Sequence, residues 1–492
     1  MKLRGADILA RALAAAGTRH VFTLSGNHVM PVFDAALDAK LSLIHVRHEA
    51  AAVHMADAWG RLTGVPGIAL VTGGPGHANA VSALYTALAA ESPLILISGH
   101  APLDELGKGA FQEMRQADVA APLAKASWTA QSAQGLAADV ARAWREACSG
   151  RPGPVHVSVP NDVLDTVVAA PALDIRMEEE STGPAPEILQ ALRTARRPLI
   201  IAGPARMRSG ARALEEATGI PVIGMESPRG VNDPSLGRLA AVLKQADVVL
   251  LLGKRADFTL KFGQAFVQGC RVLAAERFSA AERLCADGWR DEVRAALAYR
   301  PPEWREIGSR NHPVAVCREV QRLLGGPEAI LVCDGGEFGQ WAQACLDAPR
   351  RVINGPAGSI GAALPFAAAA QLAFPQARVV AMLGDGTFGF HMSEIDTAVR
   401  YRLPYLAVIG NDATWNAEYQ IQLRAYGAAR AHGCELLPTR YGAVAAAMGA
   451  HGEDAASFDE LKGALPRAAA ATAGGVPACV NVLIERVAAP KY

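Results

Sequence analysis

The chain of 492 residues has no excess of charge of either sign and few aromatic side chains. Its 48 basic residues balance its 48 acidic ones, so no basic surface for a nucleic acid is expected. Aromatic residues make up only 6%, but hydrophobic residues make up 51%, with Ala and Val dominating. This composition supplies α/β cores and argues against disorder, and the length favours two or three domains.

The sequence also lacks paired cysteines and an uninterrupted long apolar run. Its eight cysteines are scattered without a CxxC motif, which favours reduced thiols over disulfides or a zinc site. Residues 360–374 are apolar but contain Pro365 and Gln371, so we expect no membrane span. Arg4 and Arg11 interrupt the apolar N-terminal stretch, which predicts an amphipathic first helix rather than a signal peptide. We therefore expect a cytoplasmic protein.

Strand-like runs alternate with helical patterns along the whole chain, which predicts an α/β fold of parallel sheets with helices on both faces. Two aperiodic stretches, 174–187 and 299–313, are predicted linkers. We therefore expect three doubly wound domains, at residues 1–170, 185–298 and 312–492. The predicted strands are 20–24, 41–46, 67–72, 93–98, 154–159, 198–202, 221–223, 248–252, 271–274, 329–332, 351–353, 378–383, 405–409 and 478–484.

One glycine-rich turn follows the predicted strand 378–383. The residues from Gly384 to Gly389, GDGTFG, match the dinucleotide pattern GxGxxG, but Asp385 would repel a phosphate unless a cation lay between them. The dinucleotide pattern also requires an acidic residue about twenty positions further on, whereas Asp396 lies only 11 residues after Asp385. The alternative is a tight strand–helix turn in which Asp385 caps the helix, and for these residues alone that interpretation is favoured.

A second carboxylate is expected at the same edge of the sheet. The predicted strand 405–409 ends in Gly410-Asn411-Asp412, and Asp412 lies 27 residues after Asp385. Because the carboxyl ends of adjacent parallel strands lie side by side, both carboxylates face one ligand-binding edge. Oxygen ligands of this kind bind Mg²⁺ together with phosphate oxygens, so the pair favours a metal–diphosphate site.

The two motifs together resemble the signature of thiamine diphosphate enzymes, GDG followed further along by a pair of asparagines. Segments 21–35, 47–64, 72–99 and 109–113 resemble the first domain of acetolactate-synthase-type enzymes. Segment 246–258 resembles their middle domain, and 358–370 the approach to the third domain's cofactor site. The resemblance covers nearly the whole chain. It implies a pyrimidine-binding domain, a central domain and a diphosphate-binding domain.

The resemblance also implies how the cofactor is held. Asp385, Asp412 and the carbonyl of Thr414 would ligate Mg²⁺, while Gly386 and Thr387 would donate to the diphosphate. The metal's charge would then separate Asp385 from the phosphates. Asp412 departs from the family, which has Asn there, and the sequence leaves open whether this carboxylate tightens or weakens cofactor binding.

Glu49 is the candidate catalytic carboxylate. It lies between the predicted strand 41–46 and a predicted helix at 50–61, where an acid in the first turn also suits the helix dipole. By the resemblance, Glu49 binds the cofactor's aminopyrimidine ring across a dimer interface. The Gly358 carbonyl would accept from the exocyclic amine, and Ile360 would bend the cofactor. The resemblance thus implies a homodimer with shared active sites, with a dimer of dimers left open.

Several loop residues are candidates for substrate contact. Asn27 and His28 follow one first-domain strand and His77 another, where the two histidines would act as proton relays or merely pack. Phe111 and Gln112 stand in an FQE motif that lines the substrate pocket of acetolactate synthases. Gln112 is included among the catalytic candidates.

Two positions depart from those synthases. Ala417 and Ile421 stand where the synthases carry a Met and a Trp that select the second 2-oxo acid, which implies a wider pocket here. The segment before residue 246 is shorter than usual, so FAD or ADP in the central domain is left open.

The sequence therefore predicts a thiamine diphosphate- and Mg²⁺-dependent lyase or carboligase of C–C bonds, acting on a small 2-oxo acid such as pyruvate. A 2-hydroxyacyl-CoA lyase is the alternative within the same class. A homologue that binds the cofactor with little turnover and a nicotinamide dehydrogenase are alternatives outside it.

Overall fold

The structure is a computed structural model that describes residues 2–171, 186–208, 210–285, 287–308 and 311–490. The chain divides into two compact units, Met1–Glu180 and Ser181–Tyr492. Most of the predicted linker 174–187 lies outside the described residues. Within the described residues, no helix is both long and apolar enough to cross a membrane.

The first unit contains a six-stranded parallel sheet and a separate antiparallel pair of short strands. Its strands are β1 (Lys2–Arg4), β2 (His20–Thr23), β3 (Ser42–His45), β4 (Gly67–Val71), β5 (Leu94–His100), β6 (Ala126–Thr129), β7 (Pro154–Pro160) and β8 (Val167–Ala169). Its helices are α1 (Gly5–Ala15), α2 (Met30–Asp38), α3 (Glu49–Thr63), α4 (Pro75–Ala89), α5 (Gln116–Ala120), α6 (Leu136–Cys148) and α7 (Asn161–Asp165). The sheet order is β3-β2-β4-β5-β7-β6, and β1 pairs with β8.

Helix α1 shows why this unit folds as the sequence predicts. Ile8, Leu9 and Leu13 recur at helical spacing and are all buried in the core against α2 and α6. The amphipathic first helix is confirmed.

The second unit contains two parallel sheets. The central sheet has the order β10-β9-β11-β12. Its strands are β9 (Pro198–Ala202), β10 (Val222–Gly224), β11 (Val248–Leu252) and β12 (Arg271–Ala275), and the helices around it are α8 (Pro186–Thr194), α9 (Pro204–Arg208), α10 (Ala211–Thr218), α11 (Leu239–Leu243), α12 (Asp287–Leu297) and α13 (Glu303–Glu306).

The C-terminal sheet has the order β14-β13-β15-β16-β18-β17. Its strands are β13 (Ile330–Cys333), β14 (Arg350–Ile353), β15 (Val379–Gly384), β16 (Leu406–Asn411), β17 (His451–Ala455) and β18 (Ala478–Leu483). Its helices are α14 (Pro313–Gln321), α15 (Gly336–Cys345), α16 (Ala363–Ala373), α17 (Asp385–His391), α18 (Glu394–Tyr401), α19 (Asn416–Tyr426), α20 (Tyr441–Ala447) and α21 (Phe458–Ala473).

The first and the C-terminal sheets share one strand order. Numbered within its own sheet, each follows 2-1-3-4-6-5. In such an order the chain changes direction between strands 1 and 3, and ligands bind at the carboxyl ends of those strands. In the C-terminal sheet these are β13 and β15, which lie side by side with Cys333 opposite Met382.

The predicted α/β fold of parallel sheets is confirmed, and each sheet lies inside one predicted domain; the domain boundaries themselves stay a prediction. The sequence analysis missed four strands, β1, β6, β8 and β17. Strands β6 and β17 are half-buried edge strands without an apolar run, so the feature that identifies a buried strand is absent from them. Helix α17 begins at Asp385, inside the glycine-rich turn.

Candidate active site

Asp385 is the first residue of α17 and directly follows β15. Its side chain is 2% exposed, and its Oδ2 has no hydrogen-bond partner among the residues that the structure describes. Burial raises the pKa of Asp385 to about 6, against the opposing effect of hydrogen bonds from backbone groups that include Gly386 and Thr414. A buried, unpaired carboxylate oxygen is costly unless a cation or donor binds it.

Asp412 follows β16 at the same edge of the sheet. Asn416 donates a hydrogen bond from Nδ2 to Oδ2 of Asp412 at 2.7 Å. Burial and then the nearby charge of Asp385 raise the pKa of Asp412 to about 7. A buried carboxylate whose charge raises the pKa of a second buried carboxylate forms with it a site that favours a bound cation.

The turn between Asp412 and Thr414 is held in a strained conformation. Ala413 has a φ of 52°, a left-handed value that costs free energy for a residue with a side chain. The amide of Ala413 donates to Oδ1 of Asn411 at 3.1 Å, and Nδ2 of Asn411 donates to Asn481 at 3.1 Å. Asn411, part of the predicted signature, therefore holds this turn through hydrogen bonds within the fold.

A cavity of about 220 Å³ lies over these turns. The residues that line this cavity include Gly335, Gly358, Ile360, Asp385, Gly386, Thr387, Asp412 and Thr414. The cavity thus brings together all five predicted residues of the diphosphate and metal site, Asp385, Gly386, Thr387, Asp412 and Thr414, with Gly358 and Ile360.

Glycine is required at two positions around this cavity. A methyl group at Gly386 would lie 2.6 Å from a ring carbon of Trp415, and one at Gly410 would lie 2.4 Å from the ring of Phe338. The rings of Trp415 and Phe338 therefore pack directly on the backbone at the start of α17 and near the end of β16, where a side chain would leave them no room.

Asp334 is a site residue that the sequence analysis missed. It is 1% exposed and accepts hydrogen bonds from the amides of Gly335 at 2.7 Å, Gly361 at 2.9 Å and Ala363 at 3.0 Å. Burial raises its pKa to about 6. By these bonds Asp334 fixes the segment that carries Ile360 against the loop after β13. A signal was present, since Asp334 follows a buried strand and precedes two glycines.

The donor set fits a magnesium diphosphate. Within the described parts of the chain, no group of three or more His, Cys, Asp and Glu side chains is arranged to hold a metal ion. Two carboxylates, one with a buried unpaired oxygen, match Mg²⁺, which takes its other ligands from phosphates, carbonyls and water. Gly386 and Thr387, the predicted donors to the diphosphate, line the same cavity, where the hydroxyl of Thr387 donates to the carbonyl of Gly384 at 3.0 Å.

In the first unit, Glu49 is the first residue of α3, one position before the predicted start of this helix, and is 8% exposed. Nδ2 of Asn79 donates to Oε2 of Glu49 at 3.1 Å, and a methyl group at Gly76 would lie 3.3 Å from Oε1. Glu49 therefore lies against the start of α4. Asn79 is a second residue that the sequence analysis missed.

His28 and Phe111 are brought together by this unit. The His28 ring stacks on Phe111 with centroids 6.2 Å apart, and Nδ1 of His28 lies 3.2 Å from the hydroxyl of Thr72. Burial lowers the pKa of His28. Phe111 is 69% exposed. Asn27, next to His28, is also exposed but is not part of this stack.

Gln112 has a φ of 59°, and its buried Oε1 has no hydrogen-bond partner in the described residues. The backbone of Gln112 packs closely against Gly74: a methyl group at Gly74 would lie 2.6 Å from the carbonyl oxygen of Gln112. The neighbouring Gln116 is 1% exposed and holds the loop, accepting from the amide of Gly74 at 2.8 Å and donating to Gly99 at 3.0 Å.

His77 lies in a fully buried polar cluster. Its Nδ1 is 2.8 Å from the hydroxyl of Ser98, and its ring lies 4.6 Å from that of His156. Burial lowers the pKa of His77 to about 4, so the ring is neutral at pH 7. This placement favours packing over the predicted proton relay, which stays a prediction for both histidines.

The two predicted specificity positions on α19 differ in placement. Ala417 lines the cavity over Asp385, whereas Ile421 is 53% exposed and does not line it.

In the central domain, two side chains pack on glycines that follow or end strands of the sheet. A methyl group at Gly253 would lie 2.7 Å from the side chain of Arg206, and one at Gly224 would lie 2.7 Å from that of Met207. FAD or ADP in the central domain stays an open prediction.

Comparison with known proteins agrees with this site. Residues 3–119 match the model of the N-terminal domain of thiamine pyrophosphate enzymes, and residues 334–482 match that of the C-terminal domain. The chain therefore belongs to the thiamine pyrophosphate enzymes, the family of enzymes that use thiamine diphosphate.

Full-length relatives lie in two groups. The chain is 35% identical to a probable acetolactate synthase of Mycobacterium bovis, covering 97% of this chain and 95% of the relative, with the same values for the acetolactate synthase large subunit of Mycobacterium tuberculosis. It is 30% identical to human 2-hydroxyacyl-CoA lyase 2, covering 98% of this chain and 90% of the relative.

Proposed function

We propose that the protein is a Mg²⁺- and thiamine diphosphate-dependent lyase or carboligase that resembles acetolactate synthase and acts on a 2-oxo acid such as pyruvate. The observation that carries the proposal is the carboxylate pair, Asp385 and Asp412, which lines one cavity at the start of α17. The acetolactate synthases among the relatives support the substrate class.

The residues of the second unit would hold the cofactor. Asp385, Asp412 and the carbonyl of Thr414 would bind Mg²⁺, and the backbone at Gly386 with Thr387 would bind the diphosphate. Once bound, thiamine diphosphate supplies a ring carbon that adds to a carbonyl and stores the electron pair of the broken C–C bond. Ile360, fixed through Asp334, supplies an apolar wall of the cavity.

The residues of the first unit would act on protons and substrate. Glu49 is buried with Asn79 as its partner, so its carboxyl group can hold a hydrogen bond to a ring nitrogen of the cofactor. Gln112 presents an unpaired acceptor, and the stacked pair of His28 and Phe111 offers a polar and an apolar surface for a small oxo acid.

Carbon dioxide release from pyruvate tests this function. We expect release that requires both thiamine diphosphate and Mg²⁺ and falls at least 100-fold in Glu49→Gln, while Glu105→Gln, an exposed acid of the same unit, leaves it unchanged. Equal rates in Glu49→Gln and the unsubstituted protein would contradict the role of Glu49.

A second candidate is cleavage of a 2-hydroxyacyl-CoA, favoured by the relatives that carry this name and by the small side chain of Ala417, which lines the cavity. Aldehyde release from a 2-hydroxyacyl-CoA, without carbon dioxide release from pyruvate, would select this activity.

The shared active site is also part of the proposal: Glu49 of one subunit would complete the cavity over Asp385 of another in a homodimer. A mixing experiment tests it. Glu49→Gln and Asp385→Asn are each expected to be inactive. After they are unfolded together and refolded, half of the dimers would be mixed, each with one intact site, which restores about a quarter of full activity. If each subunit held its own site, no activity would return.

A further inference from the structure

A second, larger cleft lies in the same unit, away from the cofactor cavity. Its volume is about 870 Å³, within the size range of small-molecule sites. It is lined by the end of α12, by residues 300–305 that follow it, by α14 and by the end of α15. It therefore lies where the central sheet's last helix meets the C-terminal sheet's first helices.

Arginine dominates this cleft. Six lining side chains are arginines, whereas Asp347 is the one acidic side chain that contributes to the described lining. The arginines are Arg294, Arg300, Arg305, Arg318, Arg322 and Arg351.

Carboxylates compensate three of these arginines. Arg294 contacts Glu215 at 2.6 Å and Arg322 contacts Glu319 at 2.5 Å. Arg351 lies 3.7 Å from Glu226, a longer and weaker pair.

The other three arginines have no carboxylate partner among the residues that the structure describes. Arg300 donates to four backbone carbonyls, including those of Ala344 at 2.6 Å and Ser235 at 3.0 Å. Arg318 donates to the carbonyls of Trp304 at 2.9 Å and Ile307 at 3.1 Å. These bonds satisfy N–H groups but leave the positive charges in place.

Arg305 is the most available of the six. Its side chain is exposed and makes no hydrogen bond or ion pair with any residue that the structure describes. Setting the three uncompensated arginines against Asp347 leaves two surplus positive charges in the cleft. A concave surface with a surplus of one sign focuses the field and attracts a small ion of the opposite sign.

The cleft also has an apolar wall. Trp304 lines it and packs against Trp341, with ring centroids 5.2 Å apart, and Val314 adjoins them. Arginines beside a partly exposed indole suit a ligand with a phosphate group and a flat organic ring.

We propose that this cleft binds a small molecule that carries a diphosphate, such as a nucleoside diphosphate, as a site separate from the thiamine diphosphate cavity. Arg305 and Arg322 reach the phosphates, and Trp304 contacts the organic part. Gln343 lines both the cleft and the cofactor cavity, so α15 connects the two sites.

The test is calorimetric titration of the holoprotein, saturated with thiamine diphosphate and Mg²⁺, with ADP, pyrophosphate or adenosine. We expect ADP to bind at one further site, to weaken as salt is added and to bind at least 10-fold more weakly in Arg305→Gln/Arg322→Gln. Adenosine is expected not to bind. Pyrophosphate binding of equal strength would identify the free diphosphate as the recognised group, and weaker binding would identify the nucleotide.

Arg212→Gln is the matched control, because Arg212 is an exposed arginine paired with a helical glutamate outside the cleft, as Arg322 is inside it. It should bind ADP as the unsubstituted protein does. Failure of both ADP and pyrophosphate to bind overturns the proposal. So does ADP binding that survives the cleft double variant and is lost in Arg206→Gln, which would move the site to the central sheet.

Discussion

The side-chain amide of Asn416 donates a 2.7 Å hydrogen bond to Oδ2 of Asp412. Asn416 is 7% exposed, also donates to the carbonyl of Val487 at 3.2 Å and accepts from Gln420 at 3.1 Å. The first turn of α19 thus orients a carboxylate that follows β16. Partners of this kind orient a metal ligand and adjust its affinity.

Removal of this bond is expected to weaken the metal site. In Asn416→Ala, Asp412 loses the donor that orients it, and the Mg²⁺ concentration that half-saturates cofactor binding should rise about 10-fold. Thiamine diphosphate binding followed by fluorescence at increasing Mg²⁺ measures this. Gln420→Ala, which removes only the contact to Asn416, should change the value less than about twofold; an equal effect of both variants would indicate a general loosening of α19.

Glu49 and Asn79 provide a second test. Asn79→Ala should lower kcat about 10-fold while KM and cofactor affinity change little, because the carboxylate stays in place without its partner. Asn79→Asp places two acids together and should lower kcat further. Steady-state kinetics of both variants checks this, and an unchanged kcat in both would show that Asn79 does not position Glu49.

The apolar strands and the glycine turns could be predicted because they depend on local pattern. Strand β15 and the following Gly384-Asp385-Gly386 combine a buried run with a turn, and both carboxylates lie at the expected edge. The edge strands β6 and β17 could not be predicted in the same way, since a half-buried strand needs no apolar run.

The site residues that the sequence missed act through contacts distant in the chain. Asp334 bonds to Gly361 and Ala363, and Gln116 bonds to Gly74, at separations that no local pattern encodes. Ile421 illustrates the opposite case. Its position in the motif suggested pocket contact, yet it lies one helical turn beyond Ala417, where it is exposed and outside the lining of the cavity.

The buried His77 predicts a pH effect on stability. Its pKa is about 4 in the folded protein and about 6.5 when unfolded. The unfolded chain therefore binds the proton more readily as the pH falls, and the free energy of unfolding drops below pH 6.5. From pH 7 to pH 5, protonation of His77 in the unfolded chain should lower the free energy of unfolding by about 2 kcal/mol.

Urea denaturation at the two pH values measures that cost. His77→Gln should lose about 2 kcal/mol less between pH 7 and pH 5 than the unsubstituted protein. His432→Gln, which replaces an exposed histidine, should lose as much as the unsubstituted protein does. Equal pH dependence in all three proteins would contradict a neutral, buried His77.

A buried ion pair in α3 carries a prediction for stability. Arg61 contacts Asp57 at 2.5 Å, with side-chain exposures of 6% and 0%. Arg61→Ala would leave a buried carboxylate unpaired and should lower the free energy of unfolding by about 3–5 kcal/mol. Arg212→Ala, in an exposed pair with Glu216, should change it by less than about 1 kcal/mol. Thermal unfolding compares the two, and similar shifts would contradict the assigned burial.

The central claim is that Asp385 and Asp412 hold a metal that binds a diphosphate. The most direct measurement is calorimetric titration of the metal-free protein with thiamine diphosphate, with Mg²⁺ or with EDTA, for the unsubstituted protein and Asp385→Asn. We predict binding of one cofactor per chain that requires Mg²⁺ and weakens at least 100-fold in the variant. Binding of equal strength in EDTA, or in Asp385→Asn, would contradict the account.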